Sequence, residues 1–104
     1  MDIIIQSLGF TAGADLEAFI REKLGKFDKE AKIIRANVTL YTGSQSNPNW
    51  SYCEIRLDVP GNDLFVKRNS DSFEKAIVDT VNILHKNLHR AKEKHLDRNH
   101  GNLP

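Results

Sequence analysis

The stretch Tyr52-Cys53-Glu54-Ile55-Arg56-Leu57-Asp58-Val59-Pro60-Gly61-Asn62-Asp63-Leu64-Phe65-Val66-Lys67-Arg68 decides the fold. Cys53, Ile55, Leu57 and Val59 share one side, and Tyr52, Glu54, Arg56 and Asp58 share the other. Period two of this kind belongs to a strand with one buried face. Pro60-Gly61-Asn62-Asp63 is a tight-turn signal, so residues 64–68 return as the second strand of a hairpin. Residues 33–42 repeat the alternation, with Ile34, Ala36, Val38 and Leu40 opposite Arg35, Asn37, Thr39 and Tyr41. A polar, turn-rich loop from Thr42 to Asn49 joins this strand to the hairpin. Strands that alternate in this way bury one face and leave the other open.

Residues 2–7, with three consecutive isoleucines at Ile3, Ile4 and Ile5, read as a further strand. Gly9 and Gly13 bracket a loop. Leu16, Phe19, Ile20, Leu24 and Phe27 are spaced 3, 1, 4 and 3, which is one face of a helix over 15–29. Asp15 and Glu17 near its start and Lys26 and Lys29 near its end suit the helix dipole. Asp71 or Ser72 then caps a long helix. Its apolar stripe is Phe73, Ile77, Val81, Leu84, Leu88 and Ala91, and residues 99–104 end it as a frayed tail. The expected architecture is α+β: a single β-α-β-β-β-α domain over 1–104, a four-stranded sheet with both helices packed on one face.

Composition agrees. The chain has 104 residues, 39% apolar and 28% charged, which describes a globular protein and not a disordered one. Fifteen Lys+Arg against fourteen Asp+Glu give a formal charge of +1, so any basic site must be a local cluster. A generally sticky, histone-like DNA binder is excluded. Cys53 is the one cysteine, which excludes an internal disulfide and Cys-based metal cages. A reducing, cytoplasmic home is the default. No apolar run is long enough to span a membrane, and the first residues are not a signal peptide.

The chemistry concentrates in residues 84–98. This segment holds Lys86, Arg90, Lys92, Lys94 and Arg98 against Glu93 and Asp97, five cations to two anions and so a net of +3. Lys86, Arg90 and Lys94 recur every four residues and form one stripe. Lys75 joins that side, while Lys92 lies nearer the core edge. Cations repeated at about 6 Å per turn suit phosphates along a nucleic-acid backbone. Ile83 is expected exposed among them. Arg21, Lys26 and Lys29 add positive charge on the first helix. The plain alternative is a solvated face, because the dipole alone favours cations at a helix C-terminus.

Other residues read as structural. His85 and His89 have metal-binding spacing, but nothing completes the site and the nearby lysines repel a cation, so no metal is expected. Cys53 falls on an apolar side, as a buried inert thiol would. Trp50 and Tyr52 either stack on a base or anchor the loop, and anchoring is favoured. No phosphate loop, no Ser/His/Asp arrangement and no cofactor motif is present.

Several local patterns carry a family resemblance. These are Leu16-x-x-x-Ile20-x-x-Lys23-Leu24-x-Lys26-Phe27, Val59-Pro60-Gly61-Asn62-Asp63-Leu64, Asp71-x-Phe73-x-x-Ala76-Ile77 and Leu84-x-Lys86-Asn87-Leu88-x-Arg90-x-Lys92-x-Lys94. In this order and spacing the chain resembles the ribosome hibernation promoting factor family, which includes the ribosome-associated inhibitor protein Y. The resemblance implies a non-enzymatic, cytoplasmic stress or stationary-phase factor. It implies binding to the small ribosomal subunit, on 16S rRNA, in the groove used by mRNA and tRNA. Translation is then silenced by occupancy, without a cofactor or small-molecule substrate. The rRNA-binding cations that it implies are Lys86, Arg90, Lys92 and Lys94, with Lys23 and Lys26; helix geometry adds Arg21 and Lys75. The short form of the family, compatible with ribosome pairing, fits this length, and a monomer off the ribosome is expected. Two other readings stand beside it: a general double-stranded-RNA-binding module, and a small α+β enzyme acting on anionic substrates. An adaptor using the open sheet face (Arg35, Thr39, Tyr41, Glu54, Arg56) is a further possibility.

Overall fold

The element order is β1 (Asp2–Leu8), α1 (Ala14–Gly25), a 3-10 turn (Lys26–Lys29), β2 (Arg35–Thr42), β3 (Ser51–Asp58), β4 (Leu64–Ser70) and α2 (Phe73–Gly101). This computed structural model describes residues 1–29, 32–43, 49–61 and 63–101, with backbone alone at Asp28 and over 91–101. The β-α-β-β-β-α order is as expected.

The four strands lie in the order β1-β2-β3-β4. β1 runs parallel to β2, which requires the crossover that α1 supplies. β2, β3 and β4 are antiparallel neighbours. The hairpin turn between β3 and β4 uses Gly61 at φ 91°, a conformation in which glycine carries no Cβ penalty.

One face of the sheet is covered. Ala36, Val38 and Leu40 of β2 and Cys53, Ile55 and Leu57 of β3 are buried together with Val66 of β4. Ile20, Leu24 and Phe27 from the α1 side and Ala76, Ile77, Val81, Leu84 and Leu88 from α2 complete the same core. Both helices therefore pack on one face. β1 presents Ile3 and Ile5 to this core, while Ile4 is exposed. Phe10 stacks on Phe73 with centroids 4.9 Å apart, which closes the loop after β1 onto the start of α2.

Three details differ from the sequence reading. Ile34 is 56% exposed and Ile33 is buried in its place. The strand begins only at Arg35, so the alternation does not extend back to Ile34. Ile83 packs against the core instead of standing exposed. Ala76 and Thr80 join the buried face of α2. Thr80 is tolerated there because its hydroxyl donates to the Ala76 carbonyl at 2.7 Å. α2 is helical to Gly101, which lies within the 99–104 segment expected to end it. The Ala91 side chain and residues 102–104 lie outside the described residues.

Ser72 is the N-cap of α2. The Lys75 backbone N–H donates to Ser72 Oγ at 3.2 Å, and the Ala76 N–H donates to the Ser72 carbonyl. At 1.5 Å per residue, the 29 residues of α2 span about 44 Å. An eight-residue strand spans only about 26 Å. Leu88 is the last buried residue of α2 among the described residues.

Candidate nucleic-acid interface

The outer surface of the two helices contains a groove. Lys23 of α1, Lys26 and Phe27 of the 3-10 turn, and Val78, Val81, Asn82 and His85 of α2 line a cleft of about 270 Å³. Its position follows from packing. Phe27 is fully buried and its ring lies 5.8 Å from that of His85, which pins the end of α1 beside the middle of α2. Lys23 is half-buried, with its ammonium 5.3 Å from the centre of the Phe19 ring, so its stem follows apolar surface while its charge stays near water. Lys26 is exposed at the lip.

Lys86 and Arg90 are both exposed. They follow Asn82 at four-residue spacing, and residues so spaced stack on one helix flank. The row that forms the groove's α2 wall therefore continues into these two cations. The fold thus brings Lys23 of α1 and Lys26 of the following turn to the same side as Lys86 and Arg90 of α2. Lys23 and Lys26 line the groove, and Lys86 and Arg90 stand exposed on the helix flank that continues its α2 wall, an arrangement suited to a polyanion.

The remaining expected cations are placed differently. Arg21 is exposed on α1. It is two residues from Lys23, a rotation of about 200°, and so lies on the other flank of that helix. Lys75 is exposed near the start of α2, with its ammonium 3.2 Å from Asp71 Oδ1. This lysine, first by hydrogen bond and then by charge, holds the Asp71 carboxyl below its ordinary range. The pair is fully solvated and adds little to stability. The Lys92 and Lys94 side chains lie outside the described residues. His85 and His89 contact each other, with ring centroids 4.8 Å apart.

Cys53 is buried, and burial pushes its thiol up to about 12. It is protonated at neutral pH and is a poor nucleophile.

A second cluster lies on the opposite, open face of the sheet. Tyr41 and Tyr52 face each other across β2 and β3, with ring centroids 5.0 Å apart and planes only 3° from parallel. The Lys67 ammonium from β4 lies 5.8 Å and 5.4 Å from the two ring centres. A hydrogen bond to Tyr41, first, raises the Lys67 ammonium above its ordinary range. Four residues along β3, Arg56 lies 5.3 Å from the centre of the Phe65 ring, and Asp63 is 3.9 Å from its guanidinium. Tyr52 thus makes a cross-strand stack; the loop residues 44–48, which it was expected to anchor, lie outside the described residues. Sequence reading placed Tyr41 and Arg56 on this face but did not assemble the cluster. The signal was the short Pro60–Asp63 turn, which sets Glu54 opposite Lys67 and Arg56 opposite Phe65.

Comparison with known proteins adds the family. The solved structure of a ribosomal subunit interface protein from Coxiella burnetii superposes with a TM-score of 0.78 at 16% identity, covering 89% of this chain and 99% of that one. The N-terminal domain of Thermus thermophilus protein Y superposes with a TM-score of 0.75 at 20% identity, covering 86% of this chain and 98% of that one. At such identities the likeness is one of fold. Among curated proteins, none matches the sequence. The sequence pattern of one family, described as sigma 54 modulation protein / S30EA ribosomal protein, matches residues 3–96. With nearly its whole length covered by that pattern, the chain belongs to the sigma 54 modulation protein / S30EA ribosomal protein family.

Proposed function

We propose that this protein is a ribosome hibernation factor that binds the small ribosomal subunit through 16S rRNA and inhibits translation by occupying the decoding groove. The observation that carries the reading is the basic groove, where Lys23 and Lys26 meet the flank bearing Lys86 and Arg90. Phosphates along an rRNA backbone match such a surface in charge and in shape. Family membership supports a ribosomal role, as does the fold shared with a ribosomal subunit interface protein. Lys92 and Lys94 extend the same basic helix in sequence and complete the proposed contact set, with Arg21 and Lys75 at its margins.

The proposed mechanism needs no chemistry. Burial keeps the Cys53 thiol protonated. Occupancy excludes mRNA and tRNA, and the protein acts in the cytoplasm where ribosomes are. Among the described residues no helix is long and apolar enough to cross a membrane.

Co-sedimentation with purified bacterial ribosomes on a sucrose gradient tests this reading. The expected result is co-migration with small subunits or whole ribosomes at low salt and release at high salt. Protein left at the top of the gradient at both salts contradicts it. Equal affinity for any RNA duplex instead identifies a general double-stranded-RNA-binding module.

A further inference from the structure

The open sheet face carries three aromatic rings, with two cations set against them, that the proposed ribosome-binding groove does not use. Phe65 is 49% exposed, and Tyr41 and Tyr52 are half-exposed. The two tyrosine rings stack with planes 3° from parallel, which leaves the outer face of the stack to an incoming base, and Phe65 lies about four residues, or about 13 Å, along the strands from them. Arg56 and Lys67 sit against these rings. Contacts of this kind at exposed sites are weak, so the cations can turn to an incoming phosphate and release the rings.

We propose that this face is a base-stacking platform for single-stranded RNA, with Tyr41, Tyr52 and Phe65 taking bases and Arg56 and Lys67 taking adjoining phosphates. The chemistry of the face selects that occupant. Leu8 lies beside Tyr41, but the apolar groups do not merge into one patch: Asn37 and Arg56 stand between Ile4 and Phe65, and Thr39 and Glu54 separate that row from the Leu8, Tyr41 and Tyr52 row. A largely apolar protein partner would bury those polar groups without partners, at a cost. An unpaired base offers a flat ring to the aromatics and donor and acceptor edges to Asn37, Thr39 and Glu54. A four-stranded sheet backed by two helices, with aromatics on its open face, is a known geometry for stacking two or three bases. Glu54 and Asp63 nearly balance Arg56 and Lys67 in charge. Binding here therefore rests on stacking more than on phosphates.

The test is a titration of the protein with single-stranded oligouridylate and oligoadenylate of about ten nucleotides, within the site size of single-strand binders. The titration is followed by NMR and by fluorescence anisotropy. The expected result is shifts of the Tyr41, Tyr52 and Phe65 ring resonances. The logarithm of affinity should fall with that of salt at a slope near −1.4, about 0.7 for each of two cations. Phe65→Ala should weaken binding at least about fivefold, and Phe65→Tyr should restore it. The NMR map uses the unmodified protein, so it decides the question even if a variant is unstable. Shifts confined to α1 and α2, no binding of either oligonucleotide, or unchanged affinity in a folded Phe65→Ala variant would each overturn the proposal. An acidic or apolar peptide that binds this face while the oligonucleotides do not would also overturn it. No ribosome is present, so this outcome is independent of co-sedimentation.

Discussion

The two broad faces of this molecule carry cations in opposite ways. On the helical face, Lys26 stands exposed at a groove that Lys23 enters along Phe19, and Lys86 and Arg90 stand exposed on the α2 flank that runs on from it. On the sheet face, Arg56 and Lys67 rest against aromatic rings, and Glu54 and Asp63 offset their charge. The first arrangement attracts a charged backbone and releases counterions when it binds. The second offers flat apolar surface and gains little from a distant charge. The difference teaches that a protein of net charge +1 can still gather exposed cations on one side, provided that helix periodicity places them there.

The largest expected effect breaks the helical face. Replacing Lys23, Lys26, Lys86 and Arg90 together with Ala should lower ribosome affinity by roughly three orders of magnitude near 0.1 M salt, since each phosphate contact scales affinity with about the 0.9 power of salt. The fold should survive, because none of the four belongs to the buried core. Quantitative co-sedimentation with a thermal melt checks both halves of that expectation.

Both faces rest on one core, which the next substitution tests. Leu84 is fully buried between α2 and the sheet. Leu84→Ala should cost about 2–5 kcal/mol, measured by denaturant unfolding. Ribosome binding and any binding at the sheet should then be lost at the same denaturant concentration. If one face survives the other, the single-core account fails.

A smaller effect comes from Cys53, which lies under the sheet. Its thiol has a model-compound value of 9.0 and is pushed up to about 12 by burial. Between those values the unfolded chain releases the proton and the folded chain keeps it, so stability falls as pH rises, at up to about 1.4 kcal/mol per pH unit. Cys53→Ala should flatten the pH profile of unfolding above pH 9.0 relative to the unchanged protein. An identical slope in the two proteins would show that the thiol is not the group responsible. The smallest effect is at the start of α2, where Ser72 Oγ accepts the Lys75 N–H. Ser72→Ala should cost about 1 kcal/mol in a thermal or denaturant melt while leaving both faces intact.

Much of this arrangement was legible in the sequence. Period-two alternation located β2, β3 and the sides of both, and period 3.6 located the core stripe of α2. The Lys86–Arg90 spacing needed no structure to read. What was not legible had physical causes. Ile34 was assigned inward because alternation has no marker for where a strand begins; the chain enters β2 only at Arg35. Ile83 and Ala76 lie at the margins of a buried stripe wider than one row of large residues. Thr80 was missed because its hydroxyl is satisfied within the helix, by Ala76. The groove itself depends on how α1 sits against α2, which Phe27 and His85 set by contact and no local pattern encodes. Likewise, the Tyr41–Tyr52 stack depends on register across a loop, and the loop's composition does not specify that register.

The central claim is that Lys86 and Arg90 neutralise ribosomal phosphates. It is tested most directly by measuring ribosome affinity against salt for the unchanged protein and for a Lys86→Ala, Arg90→Ala variant. The account predicts that the slope of log affinity on log salt becomes shallower by about two, close to one for each cation removed. An unchanged slope in a folded variant would contradict it and would move the ribosome contact away from the helical face.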